Sequence, residues 1–350
     1  MFRVLYFALG AVGLLGVVYA LGPVPHYERQ PGLPAVPSFA GPAATAEFAA
    51  DLERREDDAV RSGDVRPQAR AHIVWGGDTA FAKTETAFVY LHGFSASPPE
   101  GSPLVDELAR RYGANVYFPR LSDHGLTSRE TYAEANPHRW RAEAKAAVAE
   151  ARRYLGDSII LVGTSTGATL ALDYAARFPE RVSGLVLYSP NVALANGAAT
   201  LLNGPWGLRL ARGLSGGDYR ALTGIPEECG YIWTLEYRVE GIVALQELLE
   251  ETMTEQTFAQ VTAPVMAAWY YRDEEHRDDI ISTEAVEEMF GQLGTAPSRK
   301  RAHPLSEVSG HVITTECRTT GLDRVRAVTH DFLEEVVGLA PNQPAAAEVD

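Results

Sequence analysis

The sequence predicts an α/β fold with a mostly parallel sheet, carrying a helical cap insertion and preceded by an apolar N-terminal transmembrane helix. Three observations lead there. Residues 159–167 read Ile-Ile-Leu-Val-Gly-Thr-Ser-Thr-Gly, four apolar residues of which three are β-branched, suiting a buried strand, and Ala168-Thr169-Leu170-Ala171-Leu172 suits a helix directly after the turn. Strand and helix patterns alternate on both sides of this segment, which implies parallel strands joined by right-handed crossovers. With 350 residues, 46% of them hydrophobic, the chain can bury one large domain with short appendages.

The N-terminal helix rests on residues 4–22, which hold no charge. A helix of that length spans about 28 Å, close to the hydrocarbon thickness of a bilayer. The reading is a membrane anchor, and a cleaved signal peptide competes with it, because Arg3 supplies a basic start and Ala20-Leu21-Gly22 resembles a cleavage site. The length of the run, Pro23 beyond the cut, and Tyr6 and Tyr19 at interfacial positions favour retention. Arg3 keeps the short end in the cytoplasm and puts the domain outside; cleavage would make the protein secreted. Pro23, Pro25, Pro31, Pro34, Pro37 and Pro42 then punctuate a linker over 23–45, expected to act as an extended spacer.

The domain is expected over 46–340. Phe48, Leu52 and Val60 among charges predict an amphipathic helix over 46–61. Strands are expected at 70–75 and 86–91, joined by the turn-rich Gly76-Gly77-Asp78, then a helix at 103–112, a strand at 115–118 and an Ala- and Glu-rich helix at 140–154. Beyond the 159–167 segment, Phe178-Pro179 breaks the helix and 184–188 forms the next strand. Residues 191–260 are an insertion with helical stretches at 206–214 and 242–253, read as a cap over the site. Strands at 264–270 and 302–307, a helix at 322–336 and a polar, disordered tail over 341–350 complete the chain.

Thirty-one basic against 46 acidic side chains leave a net charge of −15, which repels nucleic acid and excludes it as a partner. Cys229 and Cys317 are too few for a disulfide scaffold or a zinc site. They read as unrelated, buried or half-buried thiols, with a single bridge in an oxidising compartment as the alternative.

The chemistry starts at Gly163-Thr164-Ser165-Thr166-Gly167. A strand-to-helix turn of this kind holds its serine in a strained backbone conformation with the hydroxyl exposed above the sheet, and side chains at either glycine would collide across it. Ser165 is the candidate nucleophile. The N–H of Thr166 after it and that of Phe94, in the loop following the earlier strand, are the candidate oxyanion donors. His92 is expected to hold that loop, and Ser95 and Ser97 to hydrogen-bond within it. His124 precedes the serine, against the order nucleophile, acid, histidine. A carboxylate is needed to orient the base, and the run 273–279 offers five acids; the pattern of an acid, one residue and two β-branched residues selects Asp278, with Asp273 next and Asp279 third. His311, after Ser309-Gly310 and beyond the last strand, is the candidate general base; His303 and His330 are the alternatives.

These residues resemble the α/β-hydrolase superfamily from about residue 70 to 337. Within it the chain resembles the bacterial carboxylesterase and monoacylglycerol lipase-like group, through Leu91-His92-Gly93-Phe94-Ser95, Gly163 to Gly167 and Gly310-His311-Val312. Asp123-His124-Gly125 stands where that group usually carries Gly-His-Gly, and threonines flank the serine where other residues are more usual. The resemblance implies serine-dependent hydrolysis of a small-molecule ester or lipid-like substrate, without metal or cofactor. Peptidases, amidases, thioesterases and acyltransferases use the same arrangement on this fold, so the fold does not fix the substrate. A non-catalytic binding module that keeps only the fold is the other alternative, and the intact serine, histidine and acid argue against it.

Overall fold

A computed structural model describes residues 16, 19–29, 37–77 and 81–342. The domain opens with the expected amphipathic helix, α1 (Ala44–Arg61), whose Phe48 and Leu52 are buried. The first four strands are β1 (His72–Val74), β2 (Thr84–Leu91), β3 (Asn115–Phe118) and β4 (Gly156–Thr164). Between β2 and β3 runs α2 (Leu104–Tyr112), and between β3 and β4 runs α3 (Pro137–Tyr154). The Asn136 side chain caps α3 by accepting the N–H groups of His138 and Arg139, and Pro137 occupies the first turn, where its missing N–H costs nothing.

After β4 come α4 (Thr166–Arg177), β5 (Gly184–Tyr188) and the insertion. The insertion contains α5 (Gly207–Ser215), a hairpin of β6 (Tyr219–Ala221) with β7 (Glu236–Arg238), and α6 (Glu240–Thr252). The chain closes through α7 (Glu255–Gln260), β8 (Val265–Asp273), β9 (His276–Arg277), α8 (Thr283–Gln292), β10 (Lys300–Leu305) and α9 (Leu322–Phe332), the last widening into a π-helical turn over Leu333–Val337.

The sheet order is β1-β3-β2-β4-β5-β8-β10, with β9 folded back on β8. All pairs from β3 to β10 are parallel; β1 and β9 run antiparallel to their neighbours. The central strands are apolar without alternation because both faces are covered. Val89, Leu91, Leu161 and Leu187 pack on one side under α1, α3, α4 and α8, while Phe88, Tyr90, Ile160 and Val186 pack on the other under α2 and α9. In α2 the stripe Leu104, Val105, Leu108 and Ala109 is buried, and Arg110 beyond it is exposed. Each buried leucine contributes about 1.5–3 kcal/mol.

The chain lays down β1 and β2 first, inserts β3 between them, then crosses back to lay β4 on the other side of β2. The loops leaving β2 and β4 therefore diverge, opening a crevice at the carboxyl ends of these two strands.

Among the described residues no helix is long and apolar enough to cross a membrane. The anchor expected over 4–22 lies largely outside them. The spacer expected over 23–45 is, where described, laid along the domain instead of held away from it. The Trp206 N–H donates to the Pro23 carbonyl (2.8 Å), the Asn136 amide to Glu28 (3.0 Å) and the Tyr154 hydroxyl to Pro37 (2.8 Å). The cause is apolar: Tyr27 and Phe39 pack their rings on the main core, an attraction the proline count does not reveal. Of the tail expected over 341–350, residues 343–350 lie outside the described set, and Asn342 hydrogen-bonds the end of α2 through the carbonyls of Arg110 and Arg111.

Candidate active site

Ser165 sits between β4 and α4 at φ 54° and ψ −118°, a strained conformation for a residue with a side chain. At 6% exposure it is buried and not open above the sheet as expected, its hydroxyl lying against the His311 ring. The motif glycines make the turn sterically possible. A Cβ on Gly167 would lie 1.8 Å from the Leu91 carbonyl oxygen, and one on Gly163 would lie 2.6 Å from the Ala168 nitrogen. The strain is held from outside, since the Ser165 N–H donates to the Tyr188 carbonyl (2.9 Å) and its own carbonyl accepts from Ala168 (2.9 Å), Thr169 (3.2 Å) and Asn191 (3.3 Å).

The loop after β10 brings His311 over this turn, with Gly310 at φ 69° making the bend. His311 Nε2 is 2.8 Å from Ser165 Oγ, and His311 Nδ1 is 2.7 Å from Asp278 Oδ2. Asp278 is 2% exposed. Its other oxygen accepts the N–H groups of Ile280 (2.9 Å) and Ile281 (3.3 Å), so the carboxylate is oriented by backbone before it meets the imidazole. That loop is itself strapped to the segment after β5, Ala195 N–H to Ile280 O and Ser282 N–H to Ala193 O. Burial alone would push the His311 imidazolium down. The Asp278 carboxylate, reinforced by Glu100 and Asp279, reverses the balance and holds the histidine above its ordinary value.

The rival residues lie elsewhere. Asp273 is exposed and accepts from the His276 ring and from the N–H groups of Glu275 and His276. Asp279 is exposed, His303 lies on β10 and His330 on α9. His124 is buried, with Nδ1 2.7 Å from the Ser122 carbonyl, and burial drives it well below the usual histidine range.

In the loop after β2, His92 is pushed down to about 4 by burial and stays neutral. Its Nδ1–H donates to the Gly93 carbonyl (3.0 Å) and its Nε2 accepts from Leu121 (3.2 Å). Ser95 donates its N–H to the Tyr132 hydroxyl (2.9 Å), and the Phe94 ring stacks on Tyr132 at 4.6 Å with Tyr237 of the insertion edge-on at 5.4 Å. Among the described residues the Phe94 N–H has no acceptor, and the Thr166 N–H belongs to the first turn of α4, where the helix supplies none. No group of three or more His, Cys, Asp or Glu among them could hold a metal ion.

The family model described as the alpha/beta hydrolase family matches residues 88–342, about three-quarters of the chain and all of this constellation. The chain belongs to the alpha/beta hydrolase family. No curated protein sequence matches it. A metagenome-derived lipolytic enzyme is similar in fold, with a TM-score of 0.61 and 21% identity over 77% of this chain and 99% of that one. So are a monoacylglycerol lipase of Paleococcus ferrophilus (0.54, 16%, 77% and 98%) and a soluble variant of the monoglyceride lipase of Saccharomyces cerevisiae, solved with a substrate analogue (0.56, 13%, 76% and 91%).

In two features this hydrolase departs from the preferred sequence reading, the first being the bridge that reading held as its alternative. Cys229 and Cys317 are not separate thiols but a disulfide. They stand 88 residues apart in sequence, and only the fold brings the insertion beside the histidine loop, around a small cluster of Ala96, Ile232, Trp233 and Val312. The second is Glu100, 1% exposed, whose Oε2 accepts the Gly93 N–H at 2.6 Å and lies 3.1 Å from the Tyr90 hydroxyl. Its one sequence signal is an acid following Pro98-Pro99 where the chain has just left a buried strand. The insertion contacts the loop after β2 directly, through Thr234 N–H to Ser95 O (2.7 Å) and Ser97 Oγ to Ile232 O (2.7 Å).

Proposed function

We propose that this alpha/beta hydrolase cleaves carboxylic esters through an acyl-enzyme on Ser165. The observation that carries the reading is the continuous hydrogen-bonded chain from Asp278 through His311 to Ser165, at 2.7 and 2.8 Å. As Ser165 Oγ attacks the ester carbonyl, His311 Nε2 takes its proton. Asp278 holds Nδ1–H and stabilises the imidazolium that results. The unpartnered N–H groups of Phe94 and Thr166 receive the negative charge on the carbonyl oxygen. His311 then gives the proton to the departing alcohol, and water, activated by the same imidazole, releases the acid and restores Ser165.

The printed names of the fold neighbours, a lipolytic enzyme and two monoacylglycerol or monoglyceride lipases, support a small ester or lipid-like substrate. The disulfide supports an oxidising compartment for the domain, in keeping with export directed by the uncharged run at 4–22. The test is a panel of p-nitrophenyl esters of increasing chain length against aminoacyl amides and thioesters, with Ser165→Ala as control. Ester cleavage that needs Ser165 supports the reading. Faster turnover of amides or thioesters reassigns the substrate, and activity independent of Ser165 refutes the mechanism.

A further inference from the structure

We propose that Glu100 is a positioning residue for the oxyanion donor, its carboxyl fixing Gly93 so that the next N–H, that of Phe94, stays turned toward the carbonyl attacked by Ser165. The inference rests on the ester-hydrolase reading above and names a residue that the proton-transfer chain does not contain.

The argument is one of peptide planes. Gly93 has no side chain and can rotate on both sides of its α-carbon. The plane after it, which includes the Phe94 N–H, is held by its carbonyl: Gly93 O accepts from His92 Nδ1 (3.0 Å) and from the Ala96 N–H (3.3 Å), and in a trans peptide this aims the Phe94 N–H the opposite way. The plane before it is held only if the Gly93 N–H is held, and its acceptor is Glu100 Oε2 at 2.6 Å, a charge-assisted length. A Cβ on Gly93 would lie 3.1 and 3.2 Å from the two Glu100 oxygens and 3.3 Å from the Ser165 Cβ, so carboxyl and nucleophile flank the same backbone atom.

Glu100 also joins the other two loops of the site. The Tyr90 hydroxyl bridges its carboxyl (3.1 Å) to Thr164 Oγ1 (3.0 Å), the residue before Ser165, and Thr314 Oγ, three residues after His311, donates to the Glu100 carbonyl (2.7 Å). Burial pushes the Glu100 carboxyl up to about 7, against the pull of the Gly93 N–H, the Tyr90 hydroxyl, His311 and the Trp233 indole. The charged or titratable groups around His311 in turn are Asp278, Glu100 and Asp279, and each favours the imidazolium.

Glu100→Gln keeps an oxygen for the Gly93 N–H and loses the charge, whereas Glu100→Ala loses both. Both variants leave the backbone carbonyl that Thr314 uses. With a p-nitrophenyl ester, Glu100→Ala should lower kcat on the order of 10²-fold with KM within a few-fold, as expected when an oxyanion donor is misdirected. Glu100→Gln should keep kcat within roughly tenfold on its plateau, and the acid limb of kcat/KM should move to lower pH because the charge favouring the imidazolium is gone. An alanine variant within threefold of wild type in kcat, or a glutamine variant as damaged as alanine, overturns the proposal. If Glu100→Ala does not fold, Glu100→Gln decides alone: a retained plateau with a lowered acid limb supports the assignment, and an unmoved limb or a 10²-fold loss overturns it. Fluorophosphonate labelling of Ser165 separates the two layers of argument. No labelling of wild type removes the serine-hydrolase reading and this inference with it, whereas wild-type labelling at a rate that Glu100→Ala leaves unchanged removes this inference only.

Discussion

Replacing Asp278 by Asn tests the proton path without disturbing the fold. Asp278 Oδ1 accepts the Ile280 and Ile281 N–H groups and Oδ2 accepts from His311. Asn is the same size, and its carbonyl oxygen keeps the two backbone donors. Its NH₂ then occupies the place of Oδ2 and presents hydrogens to His311 Nδ1–H. Two donors cannot face each other, so the imidazole shifts its proton to Nε2, the nitrogen that must accept from Ser165 at 2.8 Å. The wrong tautomer costs about 10⁴ in kcat, or about 5.4 kcal/mol of barrier. Initial rates on a short p-nitrophenyl ester, paired with a thermal melt within a few degrees of wild type, measure this. Asp273→Asn is the control, expected within about twofold because Asp273 is exposed and serves only its own turn. Retention of kcat within tenfold in Asp278→Asn, or a collapse in Asp273→Asn instead, would refute the reasoning.

Ser165→Ala should remove about 10⁶ of the rate and abolish fluorophosphonate labelling, measured by gel fluorescence against wild type. Because His311 is held above its ordinary value, kcat/KM should fall as pH drops through that raised value, since an imidazolium cannot accept the serine proton; an acid limb below about 6.5 in a full pH–rate profile contradicts this. Gly167→Ala forces a Cβ to within 1.8 Å of the Leu91 carbonyl, so it should lower Tm and cost more than about 10² in activity, and a variant as stable and active as wild type would count against the close packing of the turn. The double variant Cys229→Ser with Cys317→Ser should lose about 2–4 kcal/mol of stability by denaturant melt, from the freed loop between residues 88 apart; an unchanged melt of the oxidised wild type and the double variant would mean the bridge adds nothing.

What the sequence determined by itself is what backbone sterics and side-chain periodicity decide over a few residues. Apolar runs without alternation read as strands covered on both faces, and Val89, Leu161 and Leu187 on one side with Phe88, Ile160 and Val186 on the other follow from a period of two. The strained turn at Ser165 was legible because Gly163 and Gly167 leave it no alternative geometry. Tertiary structure alone decided the relations between residues far apart in the chain: that Asp278, the acid the local pattern selects, stands 2.7 Å from His311, that Cys229 meets Cys317, and that Glu100 turns inward beneath the loop after β2. The reason is physical. Local conformation follows from torsional sterics and hydrophobic spacing, which the order of residues carries directly. The approach of groups 33, 88 or 146 positions apart depends on how the strands are ordered in the sheet and where the insertion comes to rest.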